Sequence, residues 1–242
     1  MKMGAKSAGR SGRSIRAVLG ARVMTFSSRS GFYARRVPLS RHGGACAAAR
    51  GAIGWPPGGR MDGTFEFLAN EELYERVVKE ALLGAERTVD LATATLKKML
   101  VEVSPGAFRG LADVLADLCF RGVRVRLLHA SVPSGPFLAD LRRVELARSE
   151  RFDMRRCPRV HLKAVVVDGK GLYLGSANLT GAGLGAKGAD RRNFELGLWT
   201  GLDAVRDRVM DLFEAVWHGR ACPACRLKDT DACPAPLESP AF

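Results

Sequence analysis

The feature that most constrains this chain is a hairpin whose two strands are apolar on both faces. Residues 164–167 read Ala-Val-Val-Val, residues 171–175 read Gly-Leu-Tyr-Leu-Gly, and the turn between them is built on Asp168-Gly169-Lys170. Asp-Gly between two apolar runs is a strong turn signal. Strands without polar alternation must be covered on both sides, so helices are expected above and below them. Two apparent violations of that rule flank the turn. His161 and Lys163 precede the first strand at i, i+2 spacing, and Ser176 and Asn178 follow the second at the same spacing. Polar groups in such a setting cost free energy unless they are paired, and a shared ligand is one reason to keep them. Centring the turn between Gly169 and Lys170 sets His161 opposite Asn178 and Lys163 opposite Ser176, so all four converge on one patch.

The surrounding pattern agrees with a layered fold. From Thr64, apolar runs alternate with amphipathic ones: a strand at 64–68, a helix at 70–85 with Asn70 as N-cap, a strand at 88–96 and a helix around 108–122. A strand at 123–130, a Pro-started helix at 136–149 and a short strand at 151–156 lead into the hairpin. After a Gly-rich loop, a strand at 193–200 and a last helix at 202–219 follow. Strands interleaved with crossover helices imply an α/β protein with a mixed, mainly parallel sheet, antiparallel at the hairpin.

Charge is placed so as to mislead. The formal net charge is +13, yet residues 1–61 hold 12 Lys and Arg with no Asp or Glu, while the other 181 residues hold 26 basic against 25 acidic side chains. The body is near neutral, so its total charge is no argument for a nucleic-acid surface. The 1–61 segment lacks apolar periodicity. It reads as a disordered extension or mis-called start before a domain headed by Met61, as an organelle transit peptide, or as a basic arm. No run of 18 apolar residues is present, so no transmembrane segment is expected, and the default compartment is cytoplasmic.

Six cysteines are present, and the absence of a secretion signal argues against a disulfide framework. Cys119 sits in an apolar helical pattern and reads as core. The tail beyond residue 217 is different: His218, Cys222, Cys225 and Cys233 fall within sixteen residues. Two thiolates at CxxC spacing with a third Cys and a His would make a structural Cys3His zinc site; reduced thiols or a redox pair are the competing readings.

The polar group around the hairpin suits a phosphate. Lys supplies charge, Asn and Ser supply donors to non-bridging oxygens, and an imidazole can act as nucleophile or proton carrier near neutral pH. His161-x-Lys163-x4-Asp168 followed by Gly175-Ser176-x-Asn178 resembles the HxKxxxxD…GSxN signature of the phospholipase D superfamily, and Asn193-Phe194-Glu195 resembles its downstream Asn-x-Glu. The resemblance implies a phospholipase D-like α-β-α sandwich over residues 62–217 and catalysis without a metal or other cofactor. It implies His161 as the nucleophile of a phosphohistidine intermediate, with Lys163 and Asn178 gripping phosphoryl oxygens and Ser176 adding a hydrogen bond. Glu195 would orient the His161 ring, and Asp168 and Gly175 would be structural.

One motif is present where the chemistry takes two histidines, one to attack and one to protonate the leaving oxygen. The resemblance is therefore to the small single-motif endonucleases, which are homodimers. Arg156, Arg159, Arg191 and Arg192 flank the motif and suit a polyanionic backbone. DNA or RNA is the substrate this favours. A phospholipase or cardiolipin hydrolase is the alternative enzyme, and an inactive nucleic-acid-binding subunit is the alternative from another class.

Overall fold

A computed structural model of the chain describes residues 60–61, 65–228 and 230–233. The extension through residue 59, including its transit-peptide and basic-arm readings, lies outside the described residues. Its expected last two residues, Arg60–Met61, form a strand, β1, paired antiparallel with β2 (Phe65–Ala69).

The chain then winds a helix, α1, that starts at Glu71–Leu73 and continues with wider π winding over Tyr74–Leu82. Leu83 N–H reaches back five residues to the Val78 carbonyl, at 3.1 Å, where that winding ends. Next come β3 (Thr88–Thr93), β4 (Leu100–Ser104), β5 (Ala107–Gly110), α2 (Leu111–Phe120), β6 (Arg124–His129) and α3 (Gly135–Arg143). A 3-10 turn at Leu146–Arg148 leads to β7 (Phe152–Arg156), β8 (Ala164–Val167), β9 (Gly171–Gly175), β10 (Leu196–Thr200) and α4 (Asp203–Trp217).

Eight strands make one sheet in the order β1-β2-β10-β9-β8-β3-β6-β7. The expected mixed α/β sheet is present, but its balance differs from the expectation. Only β3–β6 and β6–β7 pair parallel, and every other neighbouring pair is antiparallel. Crossover helices return the chain in the same direction only between β3, β6 and β7. On the other side, β8, β9, β10 and β2 meet through a hairpin and long returns. The expected helix at 136–149 stops at Arg143, because Glu145 turns left-handed at φ 49°. The β4–β5 hairpin, bent by a register shift at Glu102/Ser104, has no counterpart in the sequence reading.

Strand alternation sends side chains to two cores. Val89, Leu91, Val125, Leu127, Val165, Val167 and Tyr173 pack on one face with α1, α2 and α3. Ala92, Leu128, Ala164, Val166 and Leu172 pack on the other against Phe213 and Trp217 of α4. A sheet covered on both faces is the α-β-α sandwich. Cys119 lies buried in the first core. The α4 layer is pinned by Arg126, which pairs with Asp90 at 2.6 Å and Glu214 at 2.7 Å beneath the Phe213 and Trp217 rings.

Candidate active site

The hairpin register is Val165↔Tyr173 and Val166↔Leu172, so the turn has three residues, Asp168, Gly169 and Lys170. The expected two-residue centring is therefore off by one. The reason is local: Asp168 and Gly169 both take positive φ, 56° and 63°, which lets Lys170 N–H close onto the Val167 carbonyl at 3.0 Å. Asp168 tolerates that conformation because its carboxylate has partners. Its Oδ1 accepts the N–H groups of Arg87 (2.7 Å), Thr88 (3.0 Å) and Glu86 (3.2 Å), tying the turn to the start of β3. Burial works to raise the Asp168 pKa, but these three donors and the Arg87 charge prevail and hold it below the usual carboxylate range.

With this register the ladder puts Lys163 across from Gly175, whose N–H donates to the Lys163 carbonyl at 3.2 Å. Alternation alone would then send Ser176 and Asn178 to the face opposite Lys163. They join the site differently. The chain leaves β9 at Gly175, crosses the end of β8 and pairs with the extension of β3. Asn178 Oδ1 accepts from Thr93 Oγ1 (3.2 Å), Ala94 N–H (3.1 Å) and Thr95 N–H (3.0 Å), and Leu179 N–H donates to Thr93 Oγ1 at 3.0 Å. The Asn178 carbonyl is thus saturated, and its amide nitrogen is the group left to donate. Ser176 stays with β10: its N–H donates to the Leu196 carbonyl at 3.0 Å, and its hydroxyl donates to the Glu195 carboxylate.

His161 is exposed and Lys163 is 8% exposed. The Lys163 ammonium lies 3.2 Å from Nδ1 and 3.1 Å from Nε2 of His161, and donates to the His161 carbonyl at 2.9 Å. Near-equal distances to both nitrogens place the cation against the ring rather than along one lone pair. Burial lowers the Lys163 pKa, and the nearby Glu195 carboxylate opposes the shift. Glu195 does not orient the His161 ring in this structure. Its carboxylate is taken by Ser176 and by Asn193 Nδ2 at 2.9 Å.

The floor of the site depends on Tyr173, which is buried with its hydroxyl accepting the Ala177 N–H at 3.2 Å. Desolvation pushes its pKa up to about 12. The ring fits because Gly175 and Gly197 face each other across β9–β10, where a Cβ at Gly197 would meet the Tyr173 ring at 2.3 Å.

Asn70 was expected to cap α1, and it makes no side-chain cap bond. Its backbone lies at φ 52°, ψ −112°, a region that costs a non-glycine residue about 1–3 kcal/mol. The Asn70 N–H donates to the Glu195 carbonyl at 3.0 Å, and Asn70 Oδ1 accepts the Glu195 N–H at 3.2 Å. Glu72, in the first turn, reaches back to the strand instead, its carboxylate accepting the Ala69 N–H at 2.8 Å.

The flanking arginines are largely engaged. Arg156 donates to the Ala130 carbonyl at 3.1 Å, and Arg192 pairs with Glu71 at 2.8 Å. Arg159 hydrogen-bonds the Cys225 sulfur, which lowers the pKa of that thiol. Arg191 is exposed, 3.8 Å from Asp190. Lys97 and Lys187, absent from the sequence reading, sit on either side of the crossing segment: Lys97 N–H donates to Leu179, and Lys187 N–H to Gly181. Both side chains are exposed.

The Cys3His set is not assembled. His218 pairs with Glu214 one helical turn back, at 3.1 Å, and Cys222, Cys225 and Cys233 are half-buried and carry no disulfide. Among the described residues no group of three or more His, Cys, Asp or Glu side chains is placed to hold a metal ion.

The family described as cardiolipin synthase, PLD-like domain, matches residues 78–217, more than half the chain and all of the site except the Asn70 turn. The chain belongs to the phospholipase D superfamily. Membership assigns it phosphodiester chemistry in general. No curated protein matches it in sequence. Among solved structures, it is similar to a phospholipase D family member, Nuc, from Salmonella typhimurium, at 14% identity and TM-score 0.46 over 64% of this chain and 93% of Nuc. NucT from Helicobacter pylori follows at 12% and 0.45, over 62% and 94%. TrmBL2, an archaeal chromatin protein, follows at 16% and 0.43; the match spans 64% of this chain and 52% of TrmBL2. The assignment rests on the domain match and the motif residues it contains, not on these likenesses. Among the described residues, no helix of this phospholipase D-like protein is long and apolar enough to cross a membrane.

Proposed function

We propose that this protein is a metal-independent phosphodiesterase that works through a phosphohistidine intermediate, acting as a homodimeric endonuclease on DNA or RNA. The observation that carries the reading is the nearly buried Lys163 ammonium set against the exposed His161 ring. A desolvated cation beside a solvent-facing nucleophile is an arrangement for drawing in a phosphate. A neutral ring nitrogen of His161 attacks phosphorus, forming a P–N bond as the P–O bond to the leaving group breaks. Lys163 and the Asn178 amide nitrogen grip the non-bridging oxygens, and Glu195, held by Ser176 and Asn193, balances the Lys163 charge. Water then attacks phosphorus, releasing the monoester and freeing the ring.

The leaving oxygen needs a proton that His161 cannot supply in the same step. Of the other described histidines, His129 is 0% exposed, and His218 is engaged with Glu214. A second His161, from a partner related by a two-fold axis, is the natural donor. A nucleic-acid substrate is supported by Phe194, 88% exposed between Asn193 and Glu195, together with the exposed cations Lys97, Lys187 and Arg191. An open aromatic face together with exposed positive charge suits unstacked bases on a phosphate backbone. Phe194 also shares its exposure with Leu196 and Phe67, and this apolar strip supports lipid phosphodiester hydrolysis as the second reading.

The test is cleavage of labelled single- and double-stranded oligonucleotides in EDTA, beside cardiolipin vesicles, with His161→Ala as control. Oligonucleotide cleavage that survives EDTA and is lost in the variant is expected. Cleavage of lipid alone would move the assignment to the second reading, and turnover by the variant would overturn the mechanism.

A further inference from the structure

Asn70 stands 125 residues from Glu195 in sequence, yet it makes both of its partner's backbone bonds. The geometry explains why an asparagine is there. β2 and β10 pair antiparallel up to Ala69↔Leu196, and the next rung would be Asn70 with Glu195. In a regular hydrogen-bonded rung the two residues exchange both N–H···O=C bonds. Here the Asn70 N–H makes its half, but its carbonyl has swung away to start α1, accepting the Leu73 N–H at 3.3 Å. One carbonyl cannot close the sheet and open the helix at once. The side-chain oxygen of Asn70 takes the vacated place and accepts the Glu195 N–H. The Gly-rich loop closes the other side: a Cβ at Gly185 would lie 2.6 Å from the Asn70 carbonyl oxygen.

A strained backbone persists only where its surroundings over-determine it, and such positions cluster at functional sites. We infer that Asn70 is a positioning residue that fixes the Glu195 backbone, and through it the carboxylate that faces Ser176 and Lys163. The role in turnover rests on the phosphodiesterase reading above; the clamp itself does not. Asn is suited to both demands, since its amide oxygen accepts and its short polar side chain tolerates positive φ better than most.

Two substitutions separate the clamp from its strain. Asn70→Gly removes the acceptor while fitting the backbone without strain. Asn70→Asp keeps an acceptor. Glu195 amide hydrogen exchange reads the clamp directly, and kcat and KM read its consequence. N70G is expected to keep the wild-type Tm or exceed it, to exchange the Glu195 N–H faster, and to lose about tenfold or more in kcat with KM little changed. N70D is expected to restore slow exchange. A merely structural role predicts the opposite pairing, with activity following Tm. The inference is overturned if the Glu195 N–H stays protected in N70G, or if N70G turns over like wild type. If N70G does not fold, N70D decides: slow exchange sustains the clamp and fast exchange ends it. A wild-type protein inactive on every phosphodiester would sink the proposed function and leave the exchange result to judge Asn70.

Discussion

Lys163 approaches His161 from within the protein, its ammonium 3.1 Å from Nε2 while the ring itself faces solvent. The cation and the nucleophile are therefore one unit. Replacing Lys163 with Met keeps the stem and removes the charge, and is expected to lower kcat/KM by about 10²–10³, the scale of losing one preorganised contact to developing negative charge. Because burial lowers the Lys163 pKa, the charge is present below that depressed value and lost above it. The alkaline limb of activity is expected to fall at a pH below 10.5, the ordinary lysine value. A pH–rate profile on a chromogenic phosphodiester checks both.

Thr93 should matter as much to Asn178 as the motif does to itself. Its hydroxyl, fully buried, bonds Asn178 Oδ1 and the Thr95 carbonyl and receives the Leu179 N–H. Thr93→Val keeps the volume and strands these groups, costing about 1–3 kcal/mol in stability. It should also lower kcat, because Asn178 loses its fixed amide orientation. Thr93→Ser retains the hydroxyl and should recover most of the activity. Urea unfolding alongside kinetics separates the two effects.

Asp168→Asn tests the tie between the hairpin turn and β3. The Asp168 pKa is lowered in the fold, so its contribution is present above the unfolded value of 3.8 and is lost as pH falls through the folded value. The variant is expected to be about 0.5–1.5 kcal/mol less stable near neutral pH, the net worth of the solvent-accessible hydrogen bonds it weakens. The gap between wild type and variant should close in strong acid. Stability measured across pH 2–7 gives the answer.

His129 predicts an acid sensitivity of a different kind. It is wholly buried, its Nδ1 lies 2.9 Å from the Ser131 carbonyl, and its Nε2 has no hydrogen-bond partner among the described residues. Desolvation, with the Arg156 charge, holds its pKa below 6.5. The unfolded state then binds the extra proton first, so stability is full above pH 6.5 and declines as pH falls toward the folded value. Wild type should lose thermal stability from pH 7 to 5 more steeply than His129→Gln. Equal slopes would place the acid sensitivity elsewhere.

By itself the sequence determined the layered α/β class, the positions of the main strands and helices, and the residue types of the site. These follow from local pattern: apolar strands with no polar alternation, helical periodicity, a turn dipeptide, and charged or amide groups at i, i+2. The register, the strand directions and the partners were decided by the tertiary structure. A third turn residue, stabilised by backbone donors some 80 positions away, shifts the hairpin by one. Asn178 reaches the site because Thr93 at the end of β3 and the two residues after it offer a hydroxyl and two N–H groups, not because of its place on the strand. Asn70 reads as a cap and serves as a clamp, since its nearest claimant, Glu195, is remote in the chain. The tail shows the same limit, with spacing that fits four ligands and a His218 that pairs with its own helix. Local spacing specifies which groups are available; only the packed fold settles which of them meet, because hydrogen bonds go to the donors that long-range topology brings within 3 Å or so.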